Sequence, residues 1–104
     1  MFPRPILSAT TVCYPLSVSP AFTLERACRG IAGAGLRHIE LVAIPGYCEH
    51  LQPHRMEEKE VEEVRQLLRD QGLTPNAVNV AANLTTENGM TFLGEAMRVA
   101  QDLQ

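Results

Sequence analysis

The chain has 104 residues, a formal net charge of −3 and 45% hydrophobic residues, which is ordinary for one globular domain and excludes a disordered chain. Because the balance is acidic and Lys and Arg form no cluster, we expect no nucleic-acid partner and no anionic membrane surface. No apolar run approaches the ~20 residues of a membrane-spanning helix, and three cysteines without a C-x-x-C pattern or a signal peptide predict a cytoplasmic protein.

The first half of the chain predicts a strand, a helix and a second strand. Residues 5–12 are rich in β-branched side chains and precede a loop, so they predict the first strand. Apolar residues then recur at the i, i+3, i+4, i+7 spacing of an amphipathic helix, which begins after its N-cap Thr23 and ends at Gly35. The run LRHIELVAI predicts the second strand, which Pro45 and Gly46 terminate.

The second half predicts a helix, a strand and a helix. Residues 56–71 form the second helix, and we interpret its many Glu and Arg residues as a solvated outer surface. The segment LTPNAVNVAANL predicts the third strand and its loop, and GMTFLGEAMRVAQDLQ predicts the third helix. We expect the apolar side of that helix to consist of Leu93, Ala96, Met97, Ala100 and Leu103.

The alternation of strands and helices predicts an α/β fold with a parallel sheet and right-handed crossovers. The segments AGLRHIELV and QGLTPNAVNV repeat the same outline, a helix end followed by Gly-Leu and a strand. A complete (β/α)8 TIM barrel takes ~250 residues, so this chain would supply about three of its eight units. We therefore expect residues 1–104 to be the N-terminal portion of such a barrel, a partial barrel with an open sheet edge.

Glu40 is the residue of the second strand that most needs an explanation, because an unpaired carboxylate is costly in an apolar interior. Strand residues alternate between two faces, and Ile39 and Leu41 suit the side that packs on helices. Glu40 is then assigned to the barrel interior, near the carboxyl-terminal mouth where such barrels keep their active sites. The alternative is a structural carboxylate paired with an Arg from a neighbouring strand.

These residues resemble the xylose isomerase-like TIM barrels, a family that includes sugar phosphate isomerases and epimerases and the endonuclease IV relatives. The segment FTLERACRGIAGAGLRHIELV is similar to that family's first helix and a second strand that ends in a Glu. The segment HLQPHRMEEKEVEEVRQLLRDQGLTPNAVNVAANL is similar to its second helix, Gly-Leu junction and third strand. The resemblance spans residues 7–103.

The resemblance implies a sugar or sugar-phosphate isomerase or epimerase that moves a proton next to a carbonyl with the help of a metal. Glu40 would be the catalytic residue, and His50 and Asn83 would contact the small-molecule sugar or sugar phosphate. Members of the family usually bind a divalent metal (Mn, Mg, Co or Zn) through carboxylates and a His on later strands. We therefore expect a metal in a full-length family member and none in this chain alone.

Several alternatives remain open. The DNA-repair branch of the family carries a His where this chain has Ala81, which disfavours an endonuclease IV-like hydrolase. The chain could instead be a non-enzymatic short protein that assembles through its open sheet edge, as a homo-oligomer. His50 could be an exposed loop residue and Asn83 a turn former. Cys48, His50 and His54 have the chemistry of zinc ligands, but a fourth ligand is not evident.

Overall fold

A computed structural model describes residues 5–104 and contains three strands and three α-helices. The elements are β1 Ser8–Thr10, α1 Leu24–Gly33, β2 His38–Ala43, α2 Glu58–Asp70, β3 Thr74–Val80 and α3 Glu87–Asp102, with short 3₁₀ turns at Thr11–Cys13 and Pro53–Arg55. The strands form one parallel sheet in the order β1-β2-β3, which confirms the predicted α/β class. Within residues 5–104, no helix is long and apolar enough to cross a membrane.

The ends of α1 follow the sequence prediction. The Thr23 side chain accepts a hydrogen bond from the backbone N–H of Arg26 at 3.2 Å, as an N-cap residue does. Gly35 follows the helix with a φ of +89°, a left-handed conformation that a side chain would disfavour. Both predicted boundary residues are therefore confirmed.

Two other boundaries, the end of β1 and the start of α3, differ from the prediction because a threonine side chain caps a new turn at each of them. β1 covers three residues instead of the predicted eight, and it ends at Thr10, whose Oγ1 accepts from the N–H of Val12 at 3.3 Å and begins a 3₁₀ turn. α3 begins two residues before the predicted start, because Thr86 Oγ1 caps it by accepting from the N–H of Gly89 at 3.0 Å.

α2 carries the expected charged outer surface. It begins at Glu58, later than predicted, where the N–H of Glu57 donates to the Glu60 carboxylate at 2.9 Å. Further along, Glu62 accepts hydrogen bonds from Arg65 at 2.8 Å and from Arg69 at 2.6 Å, and these bonds lower the pKa of its carboxyl group. These pairs are solvated and contribute little to stability.

A single hydrophobic core lies between the sheet and the three helices. Its strand residues alternate along β2, and its helix residues come from α1, α2 and α3. The fully or almost fully buried members include Cys28, Ile31, Ile39, Leu41, Ala43, Val61, Leu68, Val99 and Leu103. Because all three helices share this core, they cover the same face of the sheet, as right-handed crossovers require.

Two predictions about side chains in this core have different outcomes. Cys28 is a packed thiol as predicted, and burial, followed by the nearby charge of Glu25, raises its pKa to about 11. The predicted apolar side of α3 is wrong in part, because the helix buries Ala96 and Val99 while Met97 is 64% exposed. α3 is rotated so that only one half of its wide apolar surface meets the core.

Candidate functional site

Glu40 lies on the helix-free face of the sheet, defined as the face opposite the shared core. Its neighbours Ile39 and Leu41 are fully buried against the helices, which confirms the predicted alternation. Glu40 itself is partly exposed. It is the third of six residues in β2, so it lies further from the carboxyl end of that strand than expected.

The sheet register places polar neighbours beside Glu40. Thr10, the last residue of β1, pairs with Glu40 on one side, and β3 contributes the amide of Asn79, whose Nδ2 donates to Glu40 Oε2 at 3.2 Å. The next β2 residue on this face, Val42, is fully buried, so the face becomes enclosed towards the carboxyl end of β2. In the three strands that the structure describes, Glu40 is the one acidic residue.

No arginine or lysine of residues 5–104 forms an ion pair with Glu40. Residues 5–104 therefore give no support to the structural alternative, in which Glu40 pairs with an Arg from a neighbouring strand. The Oε2 atom of Glu40 accepts a hydrogen bond from the Asn79 amide, and the side chain is partly exposed. Such a carboxylate can accept a hydrogen bond or a proton from a bound molecule.

His50 lies in the loop after β2 and joins that loop to the segment before α1. Its Nε2 is 2.8 Å from the backbone carbonyl oxygen of Phe22, and a carbonyl only accepts, so Nε2 carries the proton. Nδ1 is then free to accept from the buried Cys48 thiol at 3.4 Å. Both ring nitrogens thus have protein partners in this conformation, and substrate contact by His50 stays a prediction.

His50 also lies on the wall of an open cavity of about 510 Å³ beside α2, not among the partners of Glu40. The lining of the cavity includes the apolar Met56 and Leu67 and the acidic Glu49 and Glu63. The loop residue that the resemblance places at the substrate therefore points towards a different surface of the molecule.

Asn83 builds the turn that leads into α3. Its Oδ1 accepts from the N–H of Thr85 at 3.0 Å and from the Thr85 hydroxyl at 2.6 Å. Its backbone carbonyl accepts from the N–H and the hydroxyl of Thr86 at 3.2 and 2.9 Å. These contacts are those of a turn former, and a role in substrate binding stays a prediction.

The possible zinc ligands separate in the structure. Cys48 and His50 are in contact, but the ring of His54 lies against Phe92 with 5.8 Å between the ring centroids. No group of three or more His, Cys, Asp or Glu side chains within residues 5–104 is arranged to hold a metal ion. Glu40 likewise has no second carboxylate beside it in the described strands.

Sequence reasoning missed two residues at the end of β1. Thr10 becomes a neighbour of Glu40 through strand register, which the sequence does not encode locally. Thr11 is fully buried, and its hydroxyl has no hydrogen-bond partner within residues 5–104. Its place in the β-branched run of residues 5–12, which predicts a strand, was the one available signal.

Comparison with known proteins adds no further assignment. No family model, no curated protein and no solved structure matches this chain.

Proposed function

We propose that this chain forms the first three units of a xylose isomerase-like (β/α)8 barrel, and that the protein is a cytoplasmic sugar or sugar-phosphate isomerase or epimerase. The observation that carries the proposal is the position of Glu40 on the helix-free face, where a barrel would have its interior. The parallel order of the strands, with all helices on the other face, supports the same architecture.

Glu40 is the residue to which we assign proton transfer next to the substrate carbonyl. Asn79 donates to one carboxylate oxygen and so limits the rotation of the side chain, and the other oxygen would take the substrate proton. Thr10, level with Glu40 in the neighbouring strand, offers a hydroxyl that can bind a sugar oxygen. A positioned carboxylate base of this kind contributes about 10²–10⁴-fold to the rate.

The residues of this chain do not fit a complete divalent metal site. Hard divalent ions take several oxygen ligands in near-octahedral geometry, and the described strands offer one carboxylate. The resemblance assigns the remaining ligands to later strands of a barrel. We therefore derive no catalytic step through a metal from these residues.

The experiment follows deuterium from solvent into the substrate. The full-length natural protein is incubated in D₂O with Mn²⁺ and a panel of ketoses and ketose phosphates, and proton NMR reports exchange at the carbons next to the carbonyl. We expect exchange with at least one compound, reduced about 100-fold or more in Glu40→Gln. Glu49→Gln, which removes a carboxylate from the cavity beside α2, is the matched control and should retain full exchange.

Absence of exchange with every compound, or equal exchange in Glu40→Gln, would refute the proposal.

The endonuclease IV-like alternative has no observation in its favour, since the described strands carry no Lys or Arg that would bind a phosphodiester. Binding of abasic DNA that weakens steeply with salt would revive it.

A further inference from the structure

The first turn of α3 contains the dipeptide Asn88-Gly89. Of the asparagines in the sequence, Asn88 is the one that glycine follows, whereas Asn76, Asn79 and Asn83 precede Ala, Val and Leu. The side-chain amide of an asparagine is an electrophile that the next backbone nitrogen can attack, and a side chain on that next residue hinders the attack. Because glycine has no side chain, Asn88 is the asparagine of this chain most susceptible to the reaction.

The packing of the turn before α3 requires the glycine of this dipeptide. A Cβ at position 89 would lie 2.6 Å from the backbone carbonyl carbon of Asn83 and closer still to its oxygen. A larger residue would therefore force the backbone of the turn to move, which is costly in a packed structure. The fold thus keeps a glycine directly after Asn88, and the labile dipeptide is kept with it.

The same turn restrains the Gly89 nitrogen that would make the attack. Its N–H donates to Thr86 Oγ1 at 3.0 Å, which is the N-cap contact of α3. Asn88 lies within the helix, and helical backbone angles keep the Gly89 nitrogen out of the orientation that attack on the Asn88 side chain requires. The reaction therefore has to wait until the first turn of α3 opens locally.

We propose that Asn88 is a modification site at which the chain deamidates itself to aspartate and isoaspartate, at a rate that the Thr86 cap controls. The Gly89 nitrogen forms a bond to the side-chain carbonyl carbon of Asn88 and loses its proton, while the side-chain nitrogen leaves as ammonia. Water then adds to one of the two carbonyls of the cyclic imide and breaks the bond between that carbonyl and the Gly89 nitrogen. Opening at the side-chain carbonyl gives aspartate, and opening at the main-chain carbonyl gives isoaspartate.

All the groups that control this reaction belong to one short stretch of the chain. The reactants are two neighbouring residues and water, and the groups that restrain them, the Asn83 carbonyl and the Thr86 hydroxyl, lie within residues 83–89. The reaction therefore needs no enzyme and no partner surface. It is also independent of the enzymatic function proposed above.

The two products have different effects on the start of α3. Aspartate at position 88 adds a negative charge to the first turn, where the positive end of the helix dipole stabilises it. Isoaspartate carries the chain through its side-chain carbon, which lengthens the backbone and moves Gly89 out of register with Thr86. Conversion to isoaspartate therefore disrupts the cap, and the turn around Asn83 loses its contact with Gly89.

The test follows deamidation at neutral pH by mass spectrometry of proteolytic peptides, with fragmentation that distinguishes aspartate from isoaspartate. A synthetic peptide of residues 83–93 gives the rate without the folded turn, and we expect it to react at Asn88 at least about tenfold faster than the folded chain. In the folded chain, Thr86→Ala should accelerate the reaction about fivefold, which corresponds to the usual contribution of an N-cap side chain. Thr86→Ser keeps a capping hydroxyl and should react like the wild type.

Thr23→Ala is the matched control, because it removes the corresponding cap of α1, where Thr23 accepts from the N–H of Arg26 at 3.2 Å. It should leave the rate at Asn88 unchanged, and circular dichroism should show every variant folded. A peptide that reacts no faster than the folded wild-type chain would overturn the proposal, and that comparison requires no variant. The same conclusion would follow from an unchanged rate in Thr86→Ala, from equal acceleration by Thr23→Ala, or from faster deamidation at another asparagine.

Discussion

Gly30 gives the sharpest test of how the loop after β1 is fixed on α1. A Cβ added at Gly30 would lie 2.5 Å from Tyr14 Cζ and closer still to the Tyr14 hydroxyl oxygen. The tyrosine ring is held from two other sides, by the edge-on ring of Phe22 with centroids 5.8 Å apart and by the Arg26 guanidinium 5.2 Å from its centroid. Gly30→Ala therefore displaces Tyr14 from contacts that it makes with both neighbours.

The sign of the effect depends on two opposing contributions. In an open helical position, replacing Gly with Ala stabilises by about 0.5–1 kcal/mol, because the unfolded chain loses freedom. Forcing an extra methyl into an occupied space costs about 1–3 kcal/mol. We expect Gly30→Ala to lower the free energy of unfolding by about 1 kcal/mol. Gly33→Ala, in the same helix with nothing within 4 Å of its Cβ, should raise it by up to about 1 kcal/mol.

Urea unfolding followed by far-ultraviolet circular dichroism measures both variants, at one fixed protein concentration so that self-association affects them equally. In a Tyr14→Ala background the clash is absent, and Gly30→Ala should become neutral or stabilising. Equal stability of Gly30→Ala and Gly33→Ala would refute the reasoning, and so would a penalty that persists after Tyr14 has been removed.

Three further results are expected. Gly89→Ala should destabilise by about 1–3 kcal/mol, since its Cβ would lie 2.6 Å from the backbone carbonyl carbon of Asn83; urea unfolding with wild-type stability would contradict that packing. Because the pKa of Cys28 is raised to about 11 in the folded protein, the thiol of the unfolded chain ionises at lower pH than the thiol of the folded chain. The free energy of unfolding should therefore be unaffected by this group below about pH 9 and fall by about 2–3 kcal/mol as the pH rises towards about 11. Cys28→Ala should flatten this part of the urea-derived stability profile, and an unchanged slope would show that other groups cause it. Calorimetric titration of the 104-residue chain with Mn²⁺ should show no tight site; a one-to-one site of micromolar affinity that disappears in Glu40→Gln would prove otherwise.

The sequence by itself determined the order of the elements, the parallel α/β class and the side of β2 on which Glu40 lies. Those features depend on local periodicity and on caps such as Thr23 and Gly35, whose physical preferences act within a few residues. Glu40 could be singled out for the same reason, because an acidic residue in an apolar alternating run is visible without any partner.

Only the tertiary structure decided which residues surround Glu40 and which half of the α3 surface is buried. Asn79 and Thr10 lie beside Glu40 through strand register, and His50 turns away from it because Phe22, 28 residues earlier in the chain, offers a carbonyl. Met97 fits the helical periodicity of the core yet is exposed, while the next residue, Arg98, donates to the backbone carbonyl of Met56 before α2. Contacts between residues distant in the chain set these choices, and no short stretch of sequence contains them.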